Sequence, residues 1–375
     1  MNEQNNQDNS QENNNLQGNE PPQKDSNTPA IHPVAAAFIG LIGGFILYQF
    51  VGGIITILIF GLDIKDAPVN GLRLMTMAGQ ILFILLPALL FSKWIYQNVS
   101  AIFRLRIPHW KEILLFTAGI IILVPLLQSY LYIQNYFIDE LAKASSLVNS
   151  IKELLDSLNE FLEQAYGDLL SASNIFEGIL VVFVIALTPA VCEEFMFRGF
   201  IQRSFEFKLK PFWAALITAV FFGLYHFNPY GIIPLIGLGF YFGFAAYMSN
   251  SILVPVLLHF LNNFTAVMLY FIFEDDELIS SATTTGIDVN ASIVTFLISL
   301  VIFSEIIFLI KMYYLLIKRS KNGKIGGVCA GIAEWYRWNP RVVRIVSIFI
   351  SGIIIYILFW IIMPPPDDES KIVIK

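Results

Sequence analysis

The sequence predicts an all-α fold, a polytopic membrane helical bundle, on three observations. Of 375 residues, 56% are apolar and only 14% charged; the apolar residues gather into runs of bilayer-spanning length; and the few ionisable residues inside those runs recur at helical spacing. A soluble domain carries about a quarter charged residues, so one or two soluble domains cannot make up the body of this chain. A spanning helix needs about 20 mostly apolar residues. Windows of that kind lie at 33–60, 71–95, 112–136, 175–206, 211–228, 231–249, 251–273, 291–317 and 343–363. Eight of these spans belong to the main body and one to the C-terminal region.

In chain order, residues 1–31 are rich in Asn and Gln, with Pro21, Pro22 and Pro29, and lack a basic stretch followed by an apolar core. They read as a disordered tail, not a secretory signal. Basic residues then cluster after the second span (Lys93, Arg104, Arg106, Lys111), the fourth (Lys208, Lys210) and the eighth (Lys318, Arg319, Lys321, Lys324). The loop before the fourth span is acidic (Asp139, Glu140, Glu153, Asp156, Glu160, Glu163), as is the loop after the seventh (Glu274, Asp275, Asp276, Glu277). The positive-inside rule therefore places the N-terminus and the basic loops in the cytoplasm. The net charge of −6 carries little information in such a protein, and no nucleic-acid partner is expected.

Between the third and fourth spans, within 141–170, Leu147, Ile151, Leu154, Leu155, Leu158, Phe161, Leu162, Ala165 and Leu169 follow helical spacing with acids between them. This predicts an amphipathic helix at the membrane interface or packed on the outer face, with a substrate gate as the sharper alternative. Cys192 and Cys329 lie far apart in apolar sequence and do not define a disulfide framework. Cys192 sits beside two acids, which disfavour a thiolate, so it reads as packing. His32 and His109 read as ordinary interface residues.

Ionisable groups inside a span cost about 2.5–3.5 kcal/mol each on insertion scales, which makes each one a functional candidate. The fourth span contains Cys192-Glu-Glu-Phe-Met-Phe-Arg198, the fifth ends Phe222-Gly-Leu-Tyr-His226, and the seventh contains His259-Phe-Leu-Asn-Asn263. Glu194 and Arg198 are four apart and share a helix face, so they are expected to pair as a structural support. Glu193 points about 100° away, leaving its carboxylate free as the candidate base. His259 and Asn263 project from one face of the seventh span. With a rise of about 1.5 Å per residue from the turn at Lys210, Glu193 and His226 reach matching depths of roughly 25 Å, whereas His259 and Asn263 lie about 12 and 18 Å deep. Helix tilt has to close that difference.

A carboxylate, two imidazoles and an amide in a dry pocket can hydrolyse a bond in two ways. Glu193 and His226 can activate a water while His259 and Asn263 donate to a developing oxyanion. Alternatively Glu193, His226 and His259 can bind zinc, which acidifies the water. No HExxH helix is present, and spacing leaves both routes open.

Glu-Glu-x-x-x-Arg at 193–198, Phe-x-x-x-His at 222–226 and His-x-x-x-Asn at 259–263, in this order, resemble the three motifs of the CPBP intramembrane proteases, which include the CAAX prenyl protease 2 type and Abi-like proteins. The resemblance covers 170–275 well and extends loosely to about residue 35. It implies peptide-bond hydrolysis within the membrane on a membrane-anchored or lipid-modified protein substrate. Glu193, His226, His259 and Asn263 are then the catalytic residues, in a metalloprotease or a metal-free glutamate mechanism. The protease domain would span 32–317.

Residues 319–364 depart from this pattern. Gly326-Gly-Val-Cys-Ala-Gly-Ile-Ala-Glu334, Pro340, Val343-Arg344 and Tyr356-Ile-Leu-Phe-Trp360 resemble a PspC domain. That implies a small helical element plus one membrane helix, an envelope-stress partner, and a bacterial inner membrane as the location, with 365–375 a polar tail. Two other functions compete: a catalytically silent scaffold in envelope-stress signalling, and a transporter whose buried acids and imidazoles form an ion path. No matching pair of Gly/Pro-broken spans supports the transporter.

Overall fold

The computed structural model describes residues 29–62, 67–273, 282, 288–315, 317–320, 323–350 and 352–363. Among the described residues there are helices and no strand. In chain order the helices are α1 (Pro33–Phe60), α2 (Val69–Tyr96), α3 (Val99–Phe103), α4 (Trp110–Ala144), α5 (Ser146–Leu170), α6 (Ile175–Glu206), α7 (Pro211–Tyr225), α8 (Ile232–Ser249), α9 (Leu253–Phe273), α10 (Val289–Tyr314), α11 (Val328–Tyr336), α12 (Pro340–Ile350) and α13 (Gly352–Ile362). Seven of them, α1, α2, α4, α6, α8, α9 and α10, are long and apolar enough to cross a membrane, and α7 is a shorter apolar helix. These eight match the spans expected for the main body. The ninth, expected at 343–363, is found as α12 and α13 on either side of residue 351, and neither alone has spanning length. Most of the expected N-terminal tail, the acidic run at 274–277 and the C-terminal polar tail lie outside the described residues.

Polar side chains stitch the helix ends into two rims. At one rim, Arg104 pairs with Glu206 at the end of α6. Arg106 pairs with Glu112 at 2.8 Å and donates to the Ser249 carbonyl at the end of α8, and the Tyr314 hydroxyl donates to Glu112 Oε1 at 2.7 Å. His109 is the N-cap of α4: the Lys111 amide donates to its ring and Glu112 closes a capping box. Burial lowers the pKa of Arg104, and the Glu206 carboxylate opposes that shift. At the other rim, the buried Arg73 donates to the carbonyls of Leu169 and Ser171, and Asn70 donates to Glu177. The Tyr230 hydroxyl donates to Asp156 of α5. Basic loops therefore meet basic loops, and the acidic helix sits at the opposite end, as the alternating topology requires.

Helix α5 is amphipathic in an inverted sense. Its apolar edge, including Leu147 and Leu154 at 70% exposure each, faces away from the protein. Its inward side carries Lys152, paired with Asp156 at 2.7 Å and Asp139 at 3.4 Å, and the buried Asn159. A helix with its greasy face outward is stable where that face meets lipid.

Two large apolar cores and a small third cluster around Leu170, Val181 and Val267 fill the bundle. One large core joins α1, α2, α6 and α7 around Met196, Phe197, Phe200 and Phe222. The other joins α4, α8, α9 and α10 to the C-terminal helices. Lipid is as apolar as these side chains, so close packing and polar links between helices, more than hydrophobic burial, hold the two halves together.

Candidate active site

The site lies on the seam between the two cores, where α6 faces α8 and α9. Helix α6 is irregular here, with wide π-type turns at Val182–Leu187 and Phe195–Ile201 on either side of Glu193 and Glu194. Such turns are frequent at functional positions. Pro189 has no N–H, so α6 is short of one backbone donor at this wide turn. Asn263 Nδ2 of α9 supplies a donor there, to the Ile185 oxygen at 3.0 Å.

Three more polar links cross the seam. Arg198 Nη2 donates to the Gly239 carbonyl and Gln202 Nε2 to the Gly243 carbonyl, both at 3.0 Å, so an i,i+4 pair on α6 zips onto a Gly-x-x-x-Gly edge of α8. A Cβ built on Gly239 would stand 2.9 Å from the Phe222 ring and 3.2 Å from Arg198 Nη2, so only glycine lets the backbone come this close. The last link is the buried triad: Arg198 Nη1 and His259 Nδ1 both donate to Glu194 Oε1, each at 2.9 Å. Arg198 and Glu194 are fully buried, and His259 is 3% exposed. The Arg198 guanidinium also lies 4.3 Å from the centre of the Phe222 ring.

The pairing of Glu194 with Arg198 is as the sequence predicts. The bond from His259 to Glu194 is not part of that prediction, and it fixes the imidazole. A carboxylate only accepts, so Nδ1 carries the proton and Nε2 of the neutral ring is left with a lone pair. The ring stacks on Phe242 with centroids 5.3 Å apart. His226, at the C-cap of α7, is set in the same way. Its Nδ1 lies 2.7 Å from the Phe222 carbonyl, which can only accept, so its Nε2 is also free. Phe222 touches both imidazoles, with ring centroids 4.7 Å from His226 and 6.0 Å from His259. It is the hub of the site.

Glu193 points elsewhere. Its Oε1 accepts from Gln80 Nε2 of α2 at 3.1 Å, and its buried Oε2 has no partner. Gln80 is 5% exposed, and its own Oε1 is also without a partner. Among the described residues, no hydrogen bond joins Glu193 to either imidazole. Asn263 has one N–H committed to Ile185 and accepts from Asn262 Nδ2 at 3.1 Å, leaving its second N–H. Both cysteines are free and buried.

Two imidazoles and a carboxylate are a suitable zinc donor set in chemistry. Among the described residues, however, no group of three His, Cys, Asp or Glu side chains comes close enough to share an ion. The arrangement of Glu193, His226 and His259 does not fit a bound metal.

Gln80 and Phe222 are the participants that residue-by-residue reading passes over. Phe222 stands inside the Phe-x-x-x-His motif, which is a usable signal; Gln80 lies 113 residues from Glu193 and has none.

The fold and the seam define a class, a multi-pass helical membrane protein with a buried glutamate–histidine site. Residues 175–265, which contain every motif position above, match the type II CAAX prenyl endopeptidase Rce1-like family, and residues 315–366 match the PspC domain. The core of this chain is therefore similar to the Rce1-like CAAX endopeptidase family, and its C-terminal segment is a PspC domain. Over 90 residues the chain is 30% identical to the putative membrane peptidase YdiL of Bacillus subtilis (strain 168), covering 24% of this chain and 37% of that protein. Over 63 residues it is 30% identical to the uncharacterized membrane protein YvlC of the same organism, covering 15% of this chain and 95% of that protein. The chain thus spans little more than a third of the length of the peptidase it matches. No solved structure matches it.

Proposed function

We propose that the protein is an intramembrane endopeptidase that hydrolyses peptide bonds of membrane-anchored or lipid-modified proteins, with Glu193, His226, His259 and Asn263 as its working residues. The observation that carries this reading is the uncommitted chemistry around Phe222. Two imidazoles flank Phe222 with their Nδ1 atoms tied down and their Nε2 atoms free, and Glu193, next to the Glu194 that holds His259, has one buried carboxylate oxygen without a partner. Buried polar groups are normally satisfied, so free acceptors on adjoining helices are candidates to hold water and substrate. In this scheme Glu193 Oε2 takes a proton from a water as its oxygen attacks the scissile carbonyl. The new oxyanion is met by Asn263's second N–H and by His259 when its Nε2 is protonated. The Glu193 proton then passes to the departing amine, which restores the carboxylate. His226 Nε2 accepts from the attacking water and orients it. Glu194 and Arg198 hold His259 in place and do no chemistry.

In this reading the protease domain covers 32–317, and the PspC domain, 319–364, is a docking element for an envelope-stress partner. The N-terminus and the basic rim face the cytoplasm of a bacterial inner membrane. The test is cleavage of a quenched-fluorescent library of hydrophobic and lipidated peptides by detergent-purified protein. Wild type is expected to cleave, with or without chelator, and Glu193→Ala and His226→Ala to lose about 10²–10⁴-fold, the range for a positioned acid–base group. Loss of cleavage in chelator with recovery in zinc would replace the metal-free scheme by the zinc one. Peptide binding without cleavage by wild type would favour the silent scaffold.

A further inference from the structure

We propose that the cleft between α1, α2 and α5 is the subsite that takes a large apolar side chain of an extended peptide beside Glu193; this rests on the peptidase reading. The cleft has a volume of about 590 Å³, inside the range of ligand pockets, roughly 300–1,000 Å³. Its walls include Tyr48, Gly52, Met75, Phe83, Phe161 and Gln164. The α1 wall is the wide turn Ile46–Gly52, and the α5 wall is held shut by Arg73, 1% exposed, through the Leu169 and Ser171 carbonyls.

Two connections join this cleft to the site. Gly79, on its α2 wall, packs against the Tyr48 ring, and the next residue, Gln80, donates to Glu193. Gln49, on its α1 wall, donates to the Tyr225 carbonyl at 3.4 Å, next to His226. The cleft thus lies one residue from Gln80 on α2 and one hydrogen bond from Tyr225 on α7, with Gln80, Glu193 and His226 standing behind its walls. What an occupant must offer there is also set. Gln80 Oε1 and Glu193 Oε2 are buried acceptors, both lacking a donor. A peptide supplies a backbone N–H together with an apolar side chain, whereas a lipid acyl tail supplies only the second. An extended peptide, the substrate of the peptidase reading, is the occupant that brings both.

The experiment uses the full chain in lipid nanodiscs and has two arms. In the first, cleavage of a peptide library varied at each position around the scissile bond is compared for wild type, Gly52→Leu and Phe161→Ala. A Cβ on Gly52 meets nothing nearer than 3.6 Å, so leucine there fills the cleft without forcing the backbone. Gly52→Leu is expected to cut kcat/KM for substrates with a bulky residue at one position by at least about tenfold relative to small ones, the discrimination of a few methylenes in an apolar pocket. Phe161→Ala is expected to shift preference toward still larger residues. In the second arm, a photo-crosslinking residue replaces Gln164 in the Glu193→Gln background and is expected to capture the peptide, while the same residue at the outward Leu58 captures lipid.

Cleavage by wild type with an unchanged size profile in both variants overturns the subsite and leaves the peptidase reading standing. Lipid captured at Gln164 in place of peptide overturns it as well. Peptide captured at Gln164 without cleavage by wild type supports the subsite and overturns the peptidase reading.

Discussion

In the proposed scheme the two adjacent glutamates have opposite jobs, and substitution separates them. Glu194 pairs with both Arg198 and His259 in a fully buried place. Removing one member of a buried ion pair strands the other, at a cost of about 3–5 kcal/mol. Glu194→Ala is therefore expected to fold poorly or melt far below wild type in detergent. Glu193 gives up nothing structural on becoming an amide, because glutamine can still accept from Gln80. Glu193→Gln is expected to melt like wild type while cleavage falls about 10²–10⁴-fold. Thermal unfolding alongside peptide cleavage checks both, and equal melting points for the two variants would remove the distinction. Part of this was legible in the sequence. The four-residue spacing gave the Glu194–Arg198 pair and the free direction of Glu193. The bond from His259 to Glu194 was not legible, because depth along a helix says nothing about its rotation against a neighbour. The rotation is set by the Gly239 and Gly243 approach and the stacking of His259 on Phe242.

At the scale of elements, the seam between α6 and α8–α9 is where packing and chemistry coincide. Gly239→Val would place a Cβ 2.9 Å from Phe222 and push α8 off α6, loosening Phe242 and with it His259. The expected result is lower melting temperature and lost cleavage, whereas Gly43→Val, where a Cβ meets nothing within 4 Å, is expected to change neither. Asn263 is tested by its partner's deficiency. Asn263→Ala leaves the Ile185 carbonyl unsatisfied, at about 1–3 kcal/mol. Pro189→Ala in the same chain adds a backbone N–H to that wide turn and is expected to restore stability but not cleavage. Restoration of both would reduce Asn263 to a structural bridge. The eight spans of the body were readable from apolar run length, and the wide turns in α1, α2 and α6 were not. A π turn shifts register by one residue without altering hydropathy, so nothing in the run marks it.

Across the whole molecule, the PspC domain closes one of the two cores. Phe308 of α10 packs against Tyr336 of α11 and Phe359 of α13, each with ring centroids 6.1 Å apart, and Val328, Cys329, Ile332 and Ala333 belong to the same buried cluster as α8 and α9. Glycine at positive φ at 326 and 327 brings this segment against Trp360 and the Ser320 backbone, which no residue with a Cβ could do. Half of the seam, Gly239, Phe242 and His259, thus stands on a core that the C-terminal module completes. Deleting residues 319–375 is expected to lower the melting temperature and reduce cleavage together, and Phe308→Ala to do the same more mildly, by about 1–3 kcal/mol in stability. Packing offers a route from the module to the site, since α10 runs along α4 and α4 along α8. A partner that grips α11 and α12 should then alter cleavage without approaching Glu193. A truncated chain that melts and cleaves like the full one would mean that the two domains share a chain but not a core.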